Sequence, residues 1–251
     1  MLGGGLNVFS RQEGRFVNER FSSLNNPQVR FANIFSIAED NDGTLWLGTM
    51  DGLMNFSKTS GVLKDFKASP TGLSNNYVRS LYIDKSNIIW IGTNGGGLNA
   101  YNKTTGKFTV YRAGNNANSL SSDVIMDITE DASGKIWVAT YGGGICSFDR
   151  GTGKFTVFKN DPNDANTIST NFVHAIFIDK DQKLWIGTYG GGLNVYEPAS
   201  KKFSHYTEND GLPNNIVNGI IADNSNNIWA STNNGVCKLN IGKTKDTLIS
   251  N

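Results

Sequence analysis

Hydrophobic residues occur along this chain in short alternating runs that are separated by polar turns. One stretch contains VRSLYID (78–84), IIWIGT (88–93), GLNAYN (97–102) and KFTVYR (107–112). These runs have the length and alternation of β-strands, and none has the length or the 3.6-residue spacing of a helix. The intervening turns contain Gly, Asn or Asp, which tolerate the backbone conformations of tight turns. The pattern therefore predicts an antiparallel meander of four strands.

The same pattern recurs five times, each time with a tryptophan in the second predicted strand. The tryptophans are separated by 44, 47, 48 and 44 residues, and they are Trp46, Trp90, Trp137, Trp185 and Trp229. Each has Asp six residues before it, Thr three residues after it, and aliphatic residues nine and twelve before it. Four strands in a period of about 46 residues are the sequence signature of a β-propeller blade. The sequence therefore predicts an all-β fold, a β-propeller built from four-stranded antiparallel blades.

The repeats divide the chain, as a single propeller segment, into a leading half-blade and five blades. The predicted boundaries are 1–28 for the half-blade, then 29–72, 73–117, 118–166, 167–211, and 212–251 for the last blade and tail. The half-blade follows from the match of GGGLNVF to GGGLNVY (190–196), and the last blade shows no clear fourth strand. Because seven blades would need about 320 residues, we expect a piece of a longer array with an imposed start at Met1. A small closed ring, in which the N-terminal strands complete the last blade, is the alternative.

The recurring positions have structural interpretations. The Asp closes the first strand and is expected to accept backbone N–H groups of the following turn. A calcium loop is the alternative for DKDQK (179–183), although it lacks the spacing and the bidentate Glu of an EF-hand. The Trp is expected to wedge between blades, with a sugar-stacking platform as the alternative. Cys146 and Cys237 occupy equivalent positions two blades apart, so we expect free, buried thiols.

Charge and composition exclude several functions. A net charge of +1 gives no basic surface for nucleic acid or an anionic membrane. No segment approaches the roughly 20 apolar residues of a membrane span, and the first 14 residues lack the basic and apolar regions of a signal peptide. The absence of CxxC and Cys/His clusters argues against a metal, and no cofactor is expected.

The stretch LWIGTYGGGL (184–193) has the glycine content of a phosphate-binding loop. A Walker loop, however, needs Gly-Lys-Ser/Thr at the start of a helix, and a dinucleotide loop needs GxGxxG between a strand and a helix. Here strands are predicted on both sides, no Lys follows, and near-copies recur in other blades. The stretch is therefore interpreted as a strand and its exit turn.

Two positions differ between the copies at the same predicted end of the blades. Eleven residues before the Trp lie Phe35, Arg79, Met126, His174 and Asn218, and four after it lie Met50, Asn94, Tyr141, Tyr189 and Asn233. Structural positions repeat, whereas recognition positions differ, so the candidate ligand-binding residues are Arg79, His174, Asn218, Asn94, Tyr141, Tyr189 and Asn233. A tyrosine beside glycines can stack on a sugar ring, and Arg79 can bind a carboxylate or sulfate. Packing between blades is the alternative for each of them.

Catalysis is not expected. The two histidines, His174 and His205, fall on different predicted strands, and neither GxSxG nor HExxH occurs. No catalytic residue is therefore assigned.

The pattern W-[IVLA]-[GAS]-T-x-x-G, preceded by aliphatic-x-x-aliphatic-x-x-D, resembles the two-component regulator propeller repeats. Such repeats form periplasmic sensor regions of hybrid two-component histidine kinases, where two seven-bladed propellers usually precede a β-sandwich, a membrane helix and a kinase. The resemblance implies a non-catalytic, periplasmic sensor segment that binds oligosaccharide at the channel mouth, and further repeats or another copy of the chain that complete the propeller. A propeller lyase similar to streptogramin lyases and a protein-docking scaffold with an exposed apolar patch are the alternatives.

Overall fold

The computed structural model of the protein describes residues 4–17, 27–30, 32–239 and 249–250. The described strands form five four-stranded antiparallel sheets and one two-stranded sheet. This confirms the predicted fold class, all-β and of the β-propeller type. The chain forms two compact units, Met1–Tyr111 and Arg112–Asn251, which are called the first and the second unit below.

The first unit opens with the two-stranded sheet of β1 (Phe9–Ser10) and β2 (Arg15–Phe16), followed by the short helix α1 (Pro27–Arg30). Leu6, just before β1, is buried with Val29 of α1 and with leucines of the blade that follows. Its N–H group also donates to the carbonyl of Val29 at 3.4 Å. The segment before β1 and the helix α1 therefore pack on the first full blade, while the boundaries of the half-blade stay a prediction.

Two full blades complete the first unit, and each pairs its strands in chain order. The first blade contains β3 (Ile34–Glu39), β4 (Leu45–Thr49), β5 (Gly52–Ser57) and β6 (Gly61–Phe66). The second blade contains β7 (Val78–Ile83), β8 (Ile88–Thr93), β9 (Leu98–Asn102) and β10 (Lys107–Tyr111). The Trp strand is the second strand of each blade, as the pattern predicts.

The second unit contains the other three blades. The third blade contains β11 (Ile125–Glu130), β12 (Ile136–Thr140), β13 (Gly144–Asp149) and β14 (Lys154–Phe158). The fourth contains β15 (Val173–Ile178), β16 (Leu184–Thr188), β17 (Leu193–Glu197) and β18 (Lys202–Tyr206). A 3-10 turn at Glu208–Asp210 leads to the fifth, which contains β19 (Val217–Ala222), β20 (Ile228–Thr232), β21 (Gly235–Leu239) and β22 (Ile249–Ser250).

The fifth blade corrects one expectation, since its sequence shows no clear fourth strand. In the structure β22 takes that place, where Ile249 pairs with Leu239 and Ser250 with Lys238. Two residue pairs are too few to produce a visible alternation of apolar and polar residues, so the pattern alone missed this strand.

The core of each unit lies between its blades. Trp46 of the first blade is buried with residues of the second blade, including Val78 and Tyr101. Trp137 is buried against Tyr196 of the fourth blade, and Trp185 lies in one cluster with Val217 of the fifth. These tryptophans are no more than 6% exposed, so they wedge between blades as predicted and present no face to a sugar.

Each Trp also forms a hydrogen bond with the Asp six residues before it. The indole Nε1–H donates to the Asp Oδ2 in all five repeats, at 3.0 Å for Trp46, 2.7 Å for Trp90, 2.9 Å for Trp137, 2.7 Å for Trp185 and 3.0 Å for Trp229. In the fourth blade Asp179 Oδ1 accepts the N–H groups of Asp181 and Lys183, both at 2.9 Å. Both carboxylate oxygens therefore fix the turn and the Trp, which supports the structural interpretation over a calcium loop.

The two cysteines, Cys146 and Cys237, are free and buried, as the spacing predicts. Cys146 Sγ lies 3.0 Å from Ser121 Oγ in the loop that precedes β11. Burial raises the pKa of both thiols, which keeps them protonated and unreactive.

Candidate functional site

A β-bulge interrupts the first strand of every full blade. The pairing register with the second strand shifts at one residue, which is Phe35, Arg79, Met126, His174 and Asn218 in turn. These are the residues that differ between copies eleven positions before the Trp. A bulge leaves one residue out of the ladder and redirects its side chain. The variable residue eleven positions before the Trp is therefore the one whose side chain the bulge redirects.

The second variable position lies beside the bulge in each blade. Its N–H group donates to the carbonyl of the residue two before the bulge, for Met50 to Asn33, Asn94 to Tyr77, Tyr141 to Val124, Tyr189 to Phe172 and Asn233 to Ile216, at 2.9 to 3.1 Å. The fold therefore brings the two variable positions of one blade to the same end of that blade.

In the second unit these positions form an aromatic cluster of Tyr141, Phe172, His174 and Tyr189. Ring centroids lie 4.8 Å apart for Tyr141 and Phe172, 6.3 Å for Tyr141 and His174, and 5.4 Å for His174 and Tyr189. Tyr141 is 41%, Phe172 40% and Tyr189 50% exposed. The cluster joins the third blade to the fourth and presents aromatic surface to solvent.

Sequence reasoning missed one member of this cluster, Phe172. It lies thirteen residues before the Trp, where the copies carry Asn33, Tyr77, Val124, Phe172 and Ile216. This position also differs between copies, which is the signal that could have identified it. Tyr141 and Phe172 form an isolated antiparallel bridge, so backbone pairing between blades holds the two rings together.

In the fifth blade of the same unit, the two variable positions carry polar side chains. Asn218 Nδ2 donates to Asn233 Oδ1 at 2.8 Å, and both side chains are exposed. One amide oxygen and one amide nitrogen of the pair keep further donor and acceptor capacity toward solvent. The structure thus brings these two predicted residues together.

The first unit contains the remaining predicted residues, Arg79 and Asn94. The guanidinium carbon of Arg79 lies 5.7 Å from the ring centroid of Tyr77, and the ring of Phe35 lies 4.9 Å from that of Tyr77. Asn94 is half-buried, while Met50 is 46% exposed. The blade end of this unit therefore combines apolar and aromatic side chains with the Arg79 cation and the Asn94 amide.

The glycine turns do not provide a phosphate site in the third and fourth blades. The N–H groups of Gly142 and Gly144 donate to the carbonyl of Asn171 at 3.0 and 2.9 Å, and those of Gly190 and Gly192 donate to that of Asn215 at 3.2 and 2.9 Å. These donors join each turn to the next blade, so they are not available to an anion. Thr188 Oγ1 closes its turn by donating to the carbonyl of Gly192 at 2.7 Å.

The two histidines lie on different strands, β15 and β18. His174 belongs to the aromatic cluster, whereas His205 Nε2 lies 2.8 Å from the carbonyl oxygen of Thr167. His205 thus holds the loop that precedes β15 against the outer strand.

Asp127, the residue after the bulge of β11, was not identified from the sequence. Its Oδ2 accepts the N–H of Ile176 in β15, and its Oδ1 accepts that of Ile128, both at 2.9 Å. Burial raises the pKa of Asp127 to about 6, although both hydrogen bonds favour the carboxylate. It is thus an ionisable group that joins two blades beside the aromatic cluster.

Two clefts lie outside the predicted residues. One in the first unit has a volume of about 420 Å³ and contains Lys103, whose Nζ lies 2.6 Å from Asp40 Oδ1. One in the second unit has a volume of about 550 Å³ and is lined by the loop from Gly114 to Ser121. The variable residues line neither of these two clefts. They form an exposed blade end, where Met50, Tyr141 and Tyr189 are each more than 40% exposed.

None of the helices within the described part of the chain is long and apolar enough to span a membrane. Among those same residues, no group of three or more His, Cys, Asp or Glu side chains is arranged to hold a metal ion.

The family model described as two component regulator propeller matches the chain five times. The matched residues are 28–51, 72–95, 119–142, 167–190 and 211–234. Each match runs through the first strand, the Trp strand and the start of the glycine turn, so it includes both variable positions. No curated protein matches the chain in sequence.

Two similar solved structures are extracellular domains from B. thetaiotaomicron. The extracellular domain of the putative hybrid two component system BT3049 is 30% identical with a TM-score of 0.72, over 84% of this chain and 29% of that one. The extracellular domain of the putative one component system BT4673 is 23% identical with a TM-score of 0.51, over 94% of this chain and 39% of that one. The chain thus spans well under half the length of each.

A third similar structure is virginiamycin B lyase from Staphylococcus aureus. It is 17% identical with a TM-score of 0.65, over 87% of this chain and 69% of that one. At this identity the likeness concerns the fold alone.

Proposed function

Because the chain belongs to the two-component regulator propeller family, we propose that it is a non-catalytic, ligand-sensing segment of a signalling receptor that binds oligosaccharide at the variable blade end. The similarity to an extracellular domain of a hybrid two-component system supports the sensor role. The same similarity supports a periplasmic or extracellular location, and further repeats or another copy of the chain as the partner that completes the propeller.

The observation that carries the proposal is the aromatic cluster. Tyr141 and Tyr189 are large rings that remain 41% and 50% exposed, although nearby apolar side chains are buried between blades. Exposed aromatic rings of this kind bind the apolar faces of a ligand, while polar tips and neighbouring amides bind its hydroxyl groups. The amides of Asn218 and Asn233 supply such groups in the same unit.

Isothermal titration calorimetry of the whole chain against a panel of oligosaccharides tests this proposal. Tyr141→Ala and Tyr189→Ala are each expected to weaken binding about tenfold, which corresponds to roughly 1.4 kcal/mol of lost contact. Tyr141→Phe and Tyr189→Phe are the matched controls, because they retain the ring and are expected to stay within about threefold.

Two results would contradict the proposal. One is the absence of binding across a broad panel of neutral and acidic oligosaccharides. The other is binding that the alanine variants leave unchanged, since this would place the ligand away from the aromatic cluster.

A lyase is the second candidate, because the fold is similar to that of virginiamycin B lyase and His174 occupies a bulge in the first strand. The chain would then act as a lyase on a streptogramin B antibiotic, and His174→Ala would abolish turnover. Chromatography of the antibiotic after incubation with the chain measures this, and an unchanged antibiotic would count against the lyase.

A protein-docking scaffold is the third candidate. Phe35 and Met50 are 39% and 46% exposed at the blade end of the first unit, which provides apolar surface there. If the chain is a docking scaffold, Met50→Lys should abolish partner binding. Neither the native chain nor the variant should then bind oligosaccharide.

A further inference from the structure

We propose that the Asp127 carboxylate is a positioning residue, which ties β11 to β15 and holds the aromatic cluster in its binding arrangement, so that protonation of Asp127 regulates the site. The effect on ligand binding rests on the proposed function. The hydrogen bond from the Ile176 N–H to Asp127, which is called the tie below, does not.

The tie is formed at the free edge of the fourth blade. β15 is the first strand of its sheet and pairs on one side only, with β16. A free edge presents N–H groups without ladder partners. Asp127 Oδ2 supplies an acceptor for one of them, the N–H of Ile176, at 2.9 Å.

The other four blades have no carboxylate at the position of Asp127. The residues that follow the bulge in the other blades are Ser36, Ser80, Ala175 and Gly219, which carry no charge. Those four blades form the same four-stranded sheet without an acidic side chain there. Asp127 therefore serves the third and fourth blades in particular.

The tied segment of β15 carries the cluster. Ile176 lies two residues after His174, which is the bulge residue between Val173 and Ala175, and four residues after Phe172. The Phe172 carbonyl accepts the N–H of Tyr189 at 2.9 Å, so the position of β15 also sets that ring. A change at Ile176 is therefore transmitted through three residues of backbone to the aromatic surface.

The strands that contact β11 most extensively are β12 and β15. β12 carries no titratable side chain, and β15 carries only His174. On β11 itself Glu130 lies at the far end of the strand, where Arg150 Nη2 donates to its Oε1 at 2.8 Å. Protonation of Asp127 converts an acceptor-only group into one that also carries a donor, so the N–H group that faces the protonated oxygen keeps only a weaker, uncharged acceptor. Since burial raises the pKa of Asp127 to about 6, this change occurs in mildly acidic solution.

Amide NMR of the ¹⁵N-labelled chain between pH 4.5 and 8 tests the tie. The Ile176 amide proton is expected to move upfield on acidification with a midpoint near pH 6, and to lose this titration in Asp127→Asn. Asp181→Asn, which changes an exposed aspartate in the turn after β15, is the matched control and should keep it. His174→Gln should also keep it, which separates an effect of Asp127 from an effect of the imidazole.

The result that would overturn the tie is an Ile176 amide without a titration, or one whose titration survives in Asp127→Asn. If Asp127→Asn does not fold, Asp127→Ser replaces it, because serine occupies this position in the first two blades. The titration of the native chain provides a measurement that needs no variant.

Ring signals and ligand binding test the consequence. The ring resonances of Tyr189 should shift with the same midpoint as the Ile176 amide in the native chain, and oligosaccharide affinity should fall about threefold or more from pH 7.5 to pH 5. Asp127→Asn should remove this pH dependence while Asp181→Asn retains it. Coupled Ile176 and Tyr189 titrations without any ligand binding would reject the proposed function and retain the tie. Ligand binding whose pH dependence is unchanged in Asp127→Asn would reject the regulation.

Discussion

At the scale of the residue, the Asp and Trp that recur in each repeat act as one unit. In the fourth blade Asp179 binds the indole N–H of Trp185 and two backbone N–H groups of its own turn. The side chain thereby fixes a turn, and it also satisfies the one polar group of a ring that wedges between blades. The constant six-residue spacing between Asp and Trp in the sequence therefore reflects a hydrogen bond between their side chains.

Trp185→Phe is expected to lower the free energy of unfolding by about 2 kcal/mol, because it removes a hydrogen bond to a buried carboxylate. Chemical denaturation measures this loss. Trp229→Phe is the comparison, since Trp229 is half-buried in the fifth blade and should lose about 1 kcal/mol. Equal losses in the free energy of unfolding at the two positions would contradict a stabilisation that depends on burial of the Trp between blades.

At the scale of the element, the glycine turn connects one blade to the next. Gly192 has a φ of +75°, and its N–H donates to the carbonyl of Asn215 in the loop before the fifth blade. A Cβ at Gly192 would also collide with the backbone carbonyl of Tyr206. The turn thus needs glycine for its conformation and for the approach of the outer strand.

Gly192→Ala is expected to cost more than the roughly 1–2 kcal/mol that positive φ alone imposes on alanine, because the carbonyl of Tyr206 must also move. Gly190→Ala is the matched control, since Gly190 has a φ of +90° and open space at its Cβ. Thermal unfolding of the two variants measures the difference. A Gly192→Ala variant as stable as Gly190→Ala would show that the close approach has no cost.

At the scale of the whole molecule, three of the repeated aspartates, Asp40, Asp131 and Asp223, make stability depend on pH. Burial opposes the ionisation of Asp40 and Asp131, but hydrogen bonds from Lys103 and Trp46, and from Ser133 and Trp137, outweigh it and hold each pKa below its ordinary value. Hydrogen bonds from Trp229 and Asn227 hold the pKa of Asp223 far below it.

Urea unfolding between pH 7 and pH 2.5 is therefore expected to show a loss of stability below about pH 4. The folded pKa values are lower than the unfolded ones, so this stabilisation is present above the unfolded value and is lost as the pH falls through the folded values. Asp223→Asn should reduce the steepness of the loss. A free energy of unfolding that is unchanged between pH 5 and pH 2.5 would contradict the prediction.

Asp127 contributes in the opposite direction. Its folded pKa of about 6 exceeds the ordinary value of 3.8. The stability that protonated Asp127 contributes is therefore fully present below pH 3.8 and is lost as the pH rises through 6. Asp127→Asn should therefore flatten the stability profile between pH 4 and pH 6 and leave the acid loss below pH 4.

The sequence determined the blade, its strand order and the roles of its recurring residues. These features depend on contacts between residues close in the chain, such as the six-residue step from Asp179 to Trp185, and five copies made each signal visible. The two variable positions followed from the same comparison of copies. The short strand β22 did not, because two paired residues carry too little pattern.

Only the tertiary structure decided which of the variable residues meet. Tyr141 of the third blade joins Phe172 and His174 of the fourth, and Asp127 binds the backbone of Ile176, 49 residues away. These contacts depend on the packing of one sheet on the next and on the direction in which a bulge turns a side chain. Periodicity specifies neither, because it records which face of its own strand a residue occupies and not which residue of another blade lies opposite.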